Sequence, residues 1–413
     1  MQFLNRDTGF KVLWCLLTVA IFLFFTDFFF DIGNYKTLLY FGFSFFVGAL
    51  LVSPAHRQVL HELRPICAPL IVGTILLILS CMDSSSGQVR KISAQNIAYF
   101  MALLVMLTFW LSSMTPTVSR WVVRSVALIF TLLLMYQWNA IFHVSHLRGS
   151  FWNPHYLGQF CLLSLVALIS AFILERSVAF RATLLVPISV DLYLLVCSQS
   201  RPAWLAVIAA SLTILLLFGT RKQAIVGSLI IAVFSSVMAL VFPDLVAERM
   251  AQLLENLSSE ERVSIWRDAW RMIEDMSLQH WILGSGPGSS QAVIGAYLEE
   301  GYRYIEFPHN FVLEVLFESG LIGLAAVIAL YAFIFVKLGA AIRVRHPNRQ
   351  ILVVIFWGLL AQLAFTSIVI PFYSRQVLLL QAPLIAVGLF IAGRFERHGP
   401  SQKGRKPIKP IAS

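Results

Sequence analysis

Pro308 is followed by His309 and Asn310 and then at once by an apolar run, in the stretch EFPHNFVLEVLFESG. That order predicts a helix beginning just past the pair, with His309 at its N-terminal lip. The positive end of the helix dipole disfavours imidazolium there and attracts anions, so the ring is placed to act as a general base near about pH 7. Arg148, Arg201 and Arg262 are the cationic counterpart. In SQSRPAW, Pro202 suits the first turn of the next helix, which leaves Arg201 at its mouth. Guanidinium forks converging on one surface suit a diphosphate. For each arginine taken singly, snorkelling to lipid headgroups is the alternative.

Other polar residues invite chemistry less strongly. Glu314 and Glu318 sit one turn apart in the same apolar run, and a carboxylate there must face a partner or a cavity. Nine residues of helix separate Glu318 from His309 by about 13 Å and turn it to the opposite side, so Glu318 reads as a structural ion-pair member. His143, His146 and His155, near Asn153, follow no metal-ligand spacing. Glu299, Glu300 and Glu306 read as solvated loop acids rather than a glycosidase pair. The GSGPGSS stretch at 284–290 lacks the lysine and flanks of a phosphate loop and reads as a turn. No metal and no cofactor are expected.

The elements that must position these groups follow from composition. Of 413 residues, 58% are hydrophobic and 13% charged, and the mean hydropathy is +0.79. Soluble domains carry about 25% charged residues, so a soluble enzyme, a nucleic-acid binder and a disordered scaffold are excluded. The 33 Phe and 10 Trp suit lipid-facing helices with interfacial anchors. The pattern predicts an all-α polytopic membrane protein. Its twelve apolar spans fall near 10–30, 36–52, 66–82, 94–112, 120–138, 156–174, 180–197, 203–218, 224–242, 311–336, 350–371 and 375–393. The first is too long, and too poor in cleavage signals, for a removed signal peptide. The five cysteines, Cys15, Cys67, Cys81, Cys161 and Cys197, read as small core residues with no disulfide framework.

Loops on the side of the N-terminus hold 20 Lys and Arg, while the short loops of the other side hold only Lys36, Arg90, Lys91, Arg148, Arg201 and Arg375. The positive-inside rule then puts both termini in the cytoplasm. The chain reads as one integral membrane domain, 1–413, with a basic cytoplasmic tail at 394–413. A long outer loop at 243–310 lies between spans nine and ten, and loops of that length are usually functional. Within it, Ser258 or Ser259 is expected to cap a helix that carries Arg262, Trp266 and Trp270 on one face, lying at the membrane surface.

Taken in order, RGSFWNPHYLG, SQSRPAW, ERVSIWRDAWRMI, ILGSGPGS and PHNFVLEVLFESGLIGL resemble the O-antigen ligase and polymerase superfamily of bacterial membrane glycosyltransferases. The resemblance covers roughly residues 148–325. It implies a GT-C-like helical fold in the bacterial inner membrane with its active site facing the periplasm. It further implies transfer of a glycan from an undecaprenyl-diphosphate-linked donor to an acceptor hydroxyl, inverting and without metal or nucleotide. Carried over residue by residue, it makes His309, Arg201 and Arg262 catalytic. Arg148, Asn153, His155, Asn310 and Trp266 become substrate-binding, and Glu318 and Gly320 structural. His155 stands in NPHYLG where a less basic residue is expected, so its role stays open.

The compact loop favours an O-antigen ligase acting on lipid A-core. The alternatives are an O-antigen polymerase joining lipid-linked repeat units, a protein O-glycosylase and a lipid-linked sugar flippase. A flippase is disfavoured because the two halves look unrelated and the polar residues gather at one lip rather than at the midplane.

Overall fold

The computed structural model describes residues 6–30, 35–52, 75, 87–112, 116–143, 149–151, 153–218, 261–286, 288–298, 307–343, 348–366 and 375–397. Among them every regular element is a helix. These are α1 (Arg6–Phe30), α2 (Tyr35–Val52), α3 (Gly87–Ser112), α4 (Pro116–His143), α5 (Pro154–Leu174), α6 (Val178–Cys197) and α7 (Arg201–Phe218). There follow α8 (Glu261–Glu274), α9 (Leu278–Leu283), α10 (Ser289–Val293), α11 (Phe311–Arg343), α12 (Arg349–Ala361) and α13 (Arg375–Arg397). A 3₁₀ turn, Ile294–Ala296, extends α10, and a π turn, Gln362–Thr366, extends α12.

Among the described residues four helices are long and apolar enough to cross a membrane: Val126–His143, Pro154–Leu174, Val178–Cys197 and Phe311–Arg343. Six shorter apolar helices accompany them: Phe10–Ile21, Lys36–Leu51, Asn96–Leu111, Arg201–Leu217, Arg349–Ala364 and Gln381–Ala392. Ten of the twelve expected spans therefore coincide with helices, while 66–82 and 224–242 lie almost wholly outside the described residues. One apolar core runs through the bundle, from Leu17 and Phe24 on α1 to the fully buried Ile385, Ala386 and Leu389 on α13.

That last helix closes the bundle, packing against α3, α5, α11 and α12. Helices pair their backbone amides within their own element, the arrangement that apolar surroundings demand. Free among the described cysteines, Cys161 is buried and Cys197 half-buried, as expected of core residues. Cys15 is instead exposed on α1, contrary to the expected core position.

The α5–α6 turn is tied at the end of the bundle opposite the residues singled out above. Arg124 grips Glu175 with both forks, Nε to Oε2 at 2.7 Å and Nη2 to Oε1 at 3.1 Å. Glu175 Oε1 also accepts from the amides of Arg176 and Ser177, at 2.8 and 2.9 Å. These donors hold the Glu175 carboxyl down from 4.5 to about 2, with the Arg124 hydrogen bond contributing most.

Candidate functional site

Four segments build one lip. The first is the start of α5, where Asn153 is the N-cap and its side chain accepts from the His155 amide at 2.8 Å. Pro154 occupies the first turn, where its missing N–H costs nothing. Four residues on, Gly158 faces α7 so closely that a Cβ would stand 2.7 Å from Ser200 Cβ and 2.9 Å from Ala203 Cβ. Only glycine lets the two helices close there, and the closure brings the His155 ring to Ser200, Nδ1 to Oγ at 3.0 Å.

The second segment is the turn from α6 into α7. Gln199 takes a left-handed backbone, φ 49°, between the buried Ser198 and Ser200. Ser198 Oγ donates to Leu195 O at 2.6 Å and accepts from the Ser200 amide at 3.2 Å. Trp204 Nε1 donates to the same Leu195 carbonyl at 2.7 Å. This lattice of local bonds sets Arg201 at the first position of α7, half-buried at its mouth.

The third and fourth segments are α8 and the run into α11. On α8 the stripe Ile265, Ala269, Met272 and Ile273 is buried against Leu316 and Phe317 of α11 and Ile294 and Leu298 beyond α10. The apolar side of this helix is therefore spent on α11, and the expected face of Arg262, Trp266 and Trp270 does not act as a unit. Arg262 is exposed and Trp266 half-buried, while Trp270 donates to Glu274 at 2.7 Å and meets Trp281 edge-on. The expected cap at Ser258 or Ser259 lies outside the described residues, and α8 begins at Glu261. Just past its far end, Asp275 acts on the Tyr297 hydroxyl and pushes it up.

Trp266 Nε1 donates to the His309 carbonyl at 3.2 Å, so α8 holds the backbone of the candidate base. His309 itself has φ 50°, a left-handed conformation uncommon outside glycine, and its ring meets Phe307 edge-on at 4.6 Å. Asn310 Oδ1 accepts from Val312 N at 3.0 Å and Leu313 N at 3.4 Å, capping α11. His309 thus stands immediately outside the helix, its backbone pinned from both sides.

The GSGPGSS stretch is more than a turn. Gly284 and Gly320, at φ 84° and 62°, press backbone to backbone. A Cβ on Gly284 would lie 2.3 Å from Glu318 O, and one on Gly320 would lie 2.3 Å from Ile282 O. Ser285 N and Gly286 N donate to Phe317 O and Glu318 O at 2.8 and 2.9 Å, taking carbonyls that the helix break at Gly320 sets free. Glu318 Oε1 accepts from the Ser290 hydroxyl and, at 3.4 Å, from its amide. The partner of this buried carboxyl is a hydroxyl and an amide, and among the described residues no ion pair reaches it. Sequence reasoning supplied a cation because it could not see the loop fold back onto α11.

His155 lies within electrostatic reach of Arg262 and His309, with burial the larger influence on its ring. Ser200 and Arg201 join through the His155–Ser200 contact. Glu318 and Gly320 instead hold the loop beneath. Arg148, His146, Glu299, Glu300 and Glu306 lie outside the described residues. Sequence reasoning missed two groups. Ser200 stood in a quoted motif, but its contact with His155 spans 45 residues. Gln159, one turn inward from His155, is fully buried, and among the described residues neither amide atom has a hydrogen-bond partner. Among the described residues no three His, Cys, Asp or Glu side chains gather as metal ligands do.

Residues 182–328 match the family model described as O-antigen ligase. An O-antigen ligase of Pseudomonas aeruginosa is 29% identical over 211 residues, which are 49% of this chain and 46% of that protein. The match thus spans about half the length of the curated relative. Arg201, Arg262, His309, Asn310, Glu318 and Gly320 fall inside residues 182–328, whereas Arg148, Asn153 and His155 precede them.

Proposed function

The chain is O-antigen-ligase-like over residues 182–328, and from that premise we propose that it is a bacterial inner-membrane glycosyltransferase. It moves a glycan from undecaprenyl diphosphate to a hydroxyl of lipid A-core on the periplasmic face. It has twelve spans and both termini in the cytoplasm. The observation that carries this reading is the convergence of His155, Arg262 and His309, from three distant segments, on the mouth of α7 where Arg201 stands.

The reaction is a single inverting displacement. The acceptor oxygen attacks the anomeric carbon, its proton passes to the His309 imidazole, and the bond from that carbon to the diphosphate oxygen breaks. A diphosphate is already a good leaving group, so the demand is for neutralising the negative charge that develops on it. Arg201 and Arg262 meet that demand, each worth about 3 kcal/mol by analogy with other preorganised donors. The base adds about 10²–10⁴ in rate. The left-handed backbone of His309 fits this role, since strain of that kind gathers where geometry matters more than stability.

The test is a reaction of purified protein in detergent with undecaprenyl-diphosphate-linked glycan, with and without lipid A-core, in the presence of EDTA. Glycan on lipid A-core supports the ligase, and its formation under chelation supports a metal-independent one. Longer lipid-linked glycan without added acceptor replaces it with a polymerase. No new bond in either tube overturns the transferase.

A further inference from the structure

We propose that His155 is a second catalytic histidine, a neutral hydrogen-bond donor to the leaving diphosphate oxygen, and that Ser200 positions it by fixing its tautomer. The inference rests on the glycosyl-transfer reading and names a residue for that same site.

Ser200 is 1% exposed, and among the described residues its hydroxyl meets a single partner, His155 Nδ1 at 3.0 Å. A buried hydroxyl hydrogen needs an acceptor, and Nδ1 is the one within reach. Ser200 therefore donates, Nδ1 accepts, and the ring proton belongs on Nε2. An imidazolium would carry hydrogens on both nitrogens and leave the Ser200 hydrogen facing another donor, so the pair favours the neutral ring. A neutral ring held in this way presents one N–H and no alternative.

Nothing at the start of α5 uses that N–H. The Asn153 side chain takes the His155 amide, not the ring, and Nε2 has no protein partner among the described residues. The ring is half-buried at the lip, within the electrostatic reach of Arg262 and His309. A donor beside an arginine and a base calls for an oxygen that gains negative charge as the reaction proceeds. The diphosphate oxygen that leaves the anomeric carbon is such an atom. The His155 proton stays on Nε2 throughout; it stabilises the departing oxygen without transfer.

Two substitutions at position 155 separate this role from a tether to Ser200. His155→Gln places its amide N–H about where Nε2 stands, whereas His155→Asn reaches only to the Nδ1 position. The readout is kcat and KM for transfer by the full-length protein, with melting temperature measured in the same detergent. His155→Gln is expected to keep kcat within about ten-fold, and His155→Asn to lose about a hundred-fold with donor KM little changed. Ser200→Ala, which frees the tautomer, is expected to lower kcat about ten-fold, the weight of one hydrogen bond, at unchanged melting temperature. Asn matching or exceeding Gln would overturn the proposal, as would a Ser200→Ala effect seen only in melting temperature. An inactive wild type would strike the transferase reading itself, whereas an active wild type with the Gln and Asn order reversed strikes this inference alone.

Discussion

At the residue scale, the candidate site sets an imidazole on a backbone under constraint, at His309. Its φ of 50° is tolerated by asparagine almost as well as by glycine, so His309→Asn removes the imidazole without disturbing the turn. That variant is expected to lose about 10²–10⁴ in transfer rate while its melting temperature and membrane insertion stay near wild type. Arg201→Ala and Arg262→Ala are expected to lose about 10²–10³ in kcat. Near-normal transfer by all three variants would remove these residues from the mechanism. Gln159 predicts the reverse kind of effect. Its amide is fully buried with neither atom paired among the described residues, and exchanging such a group for an apolar one of similar size removes a desolvation cost. Gln159→Leu is expected to stabilise the protein by about 1 kcal/mol, read as a higher melting temperature; a lower one would mean the amide has a structural partner.

At the element scale, the decisive feature is the seat that α11 makes for the loop before it. An unbroken helix would spend the carbonyls of Phe317 and Glu318 internally. The break at Gly320 offers them to Ser285 and Gly286, and the loop so anchored carries Ser290 to Glu318. The same seat buries the apolar stripe of α8, whose Trp266 holds the His309 carbonyl. A methyl group on Gly320 meets the Ile282 carbonyl at 2.3 Å and a left-handed backbone as well. Gly320→Ala is therefore expected to cost about 2–4 kcal/mol and to open residues 275–290 to limited proteolysis. Gly339→Ala is the control on the same helix, since among the described residues its Cβ would meet only Phe356, at 3.8 Å. Equal melting temperatures for the two variants would mean that the seat contributes nothing.

At the scale of the whole molecule, the end of the bundle opposite Arg201 and His309 is tied by Arg124 closing on Glu175 as an arrangement of its own. That arrangement predicts a pH dependence. The folded-state value of Glu175 is depressed from 4.5 to about 2, so its contribution is fully present above 4.5 and is lost as pH falls toward 2. The melting-temperature gap between wild type and Glu175→Gln should hold above pH 4.5 and vanish near pH 2. A gap constant through that window would deny the pair its role. By itself the sequence determined that the chain is helical with apolar runs long enough to cross a membrane, that Arg201 begins a helix and that His309 stands just before one, because apolar run length, proline position and helix capping act over a few residues. Tertiary structure decided what those residues meet. His155 finds Ser200 across 45 residues, Glu318 finds Ser290 across 28, and α8 spends its apolar stripe on α11. These pairings depend on how closely two backbones approach, at Gly158 and at Gly284 against Gly320, and spacing along a chain carries no record of that distance.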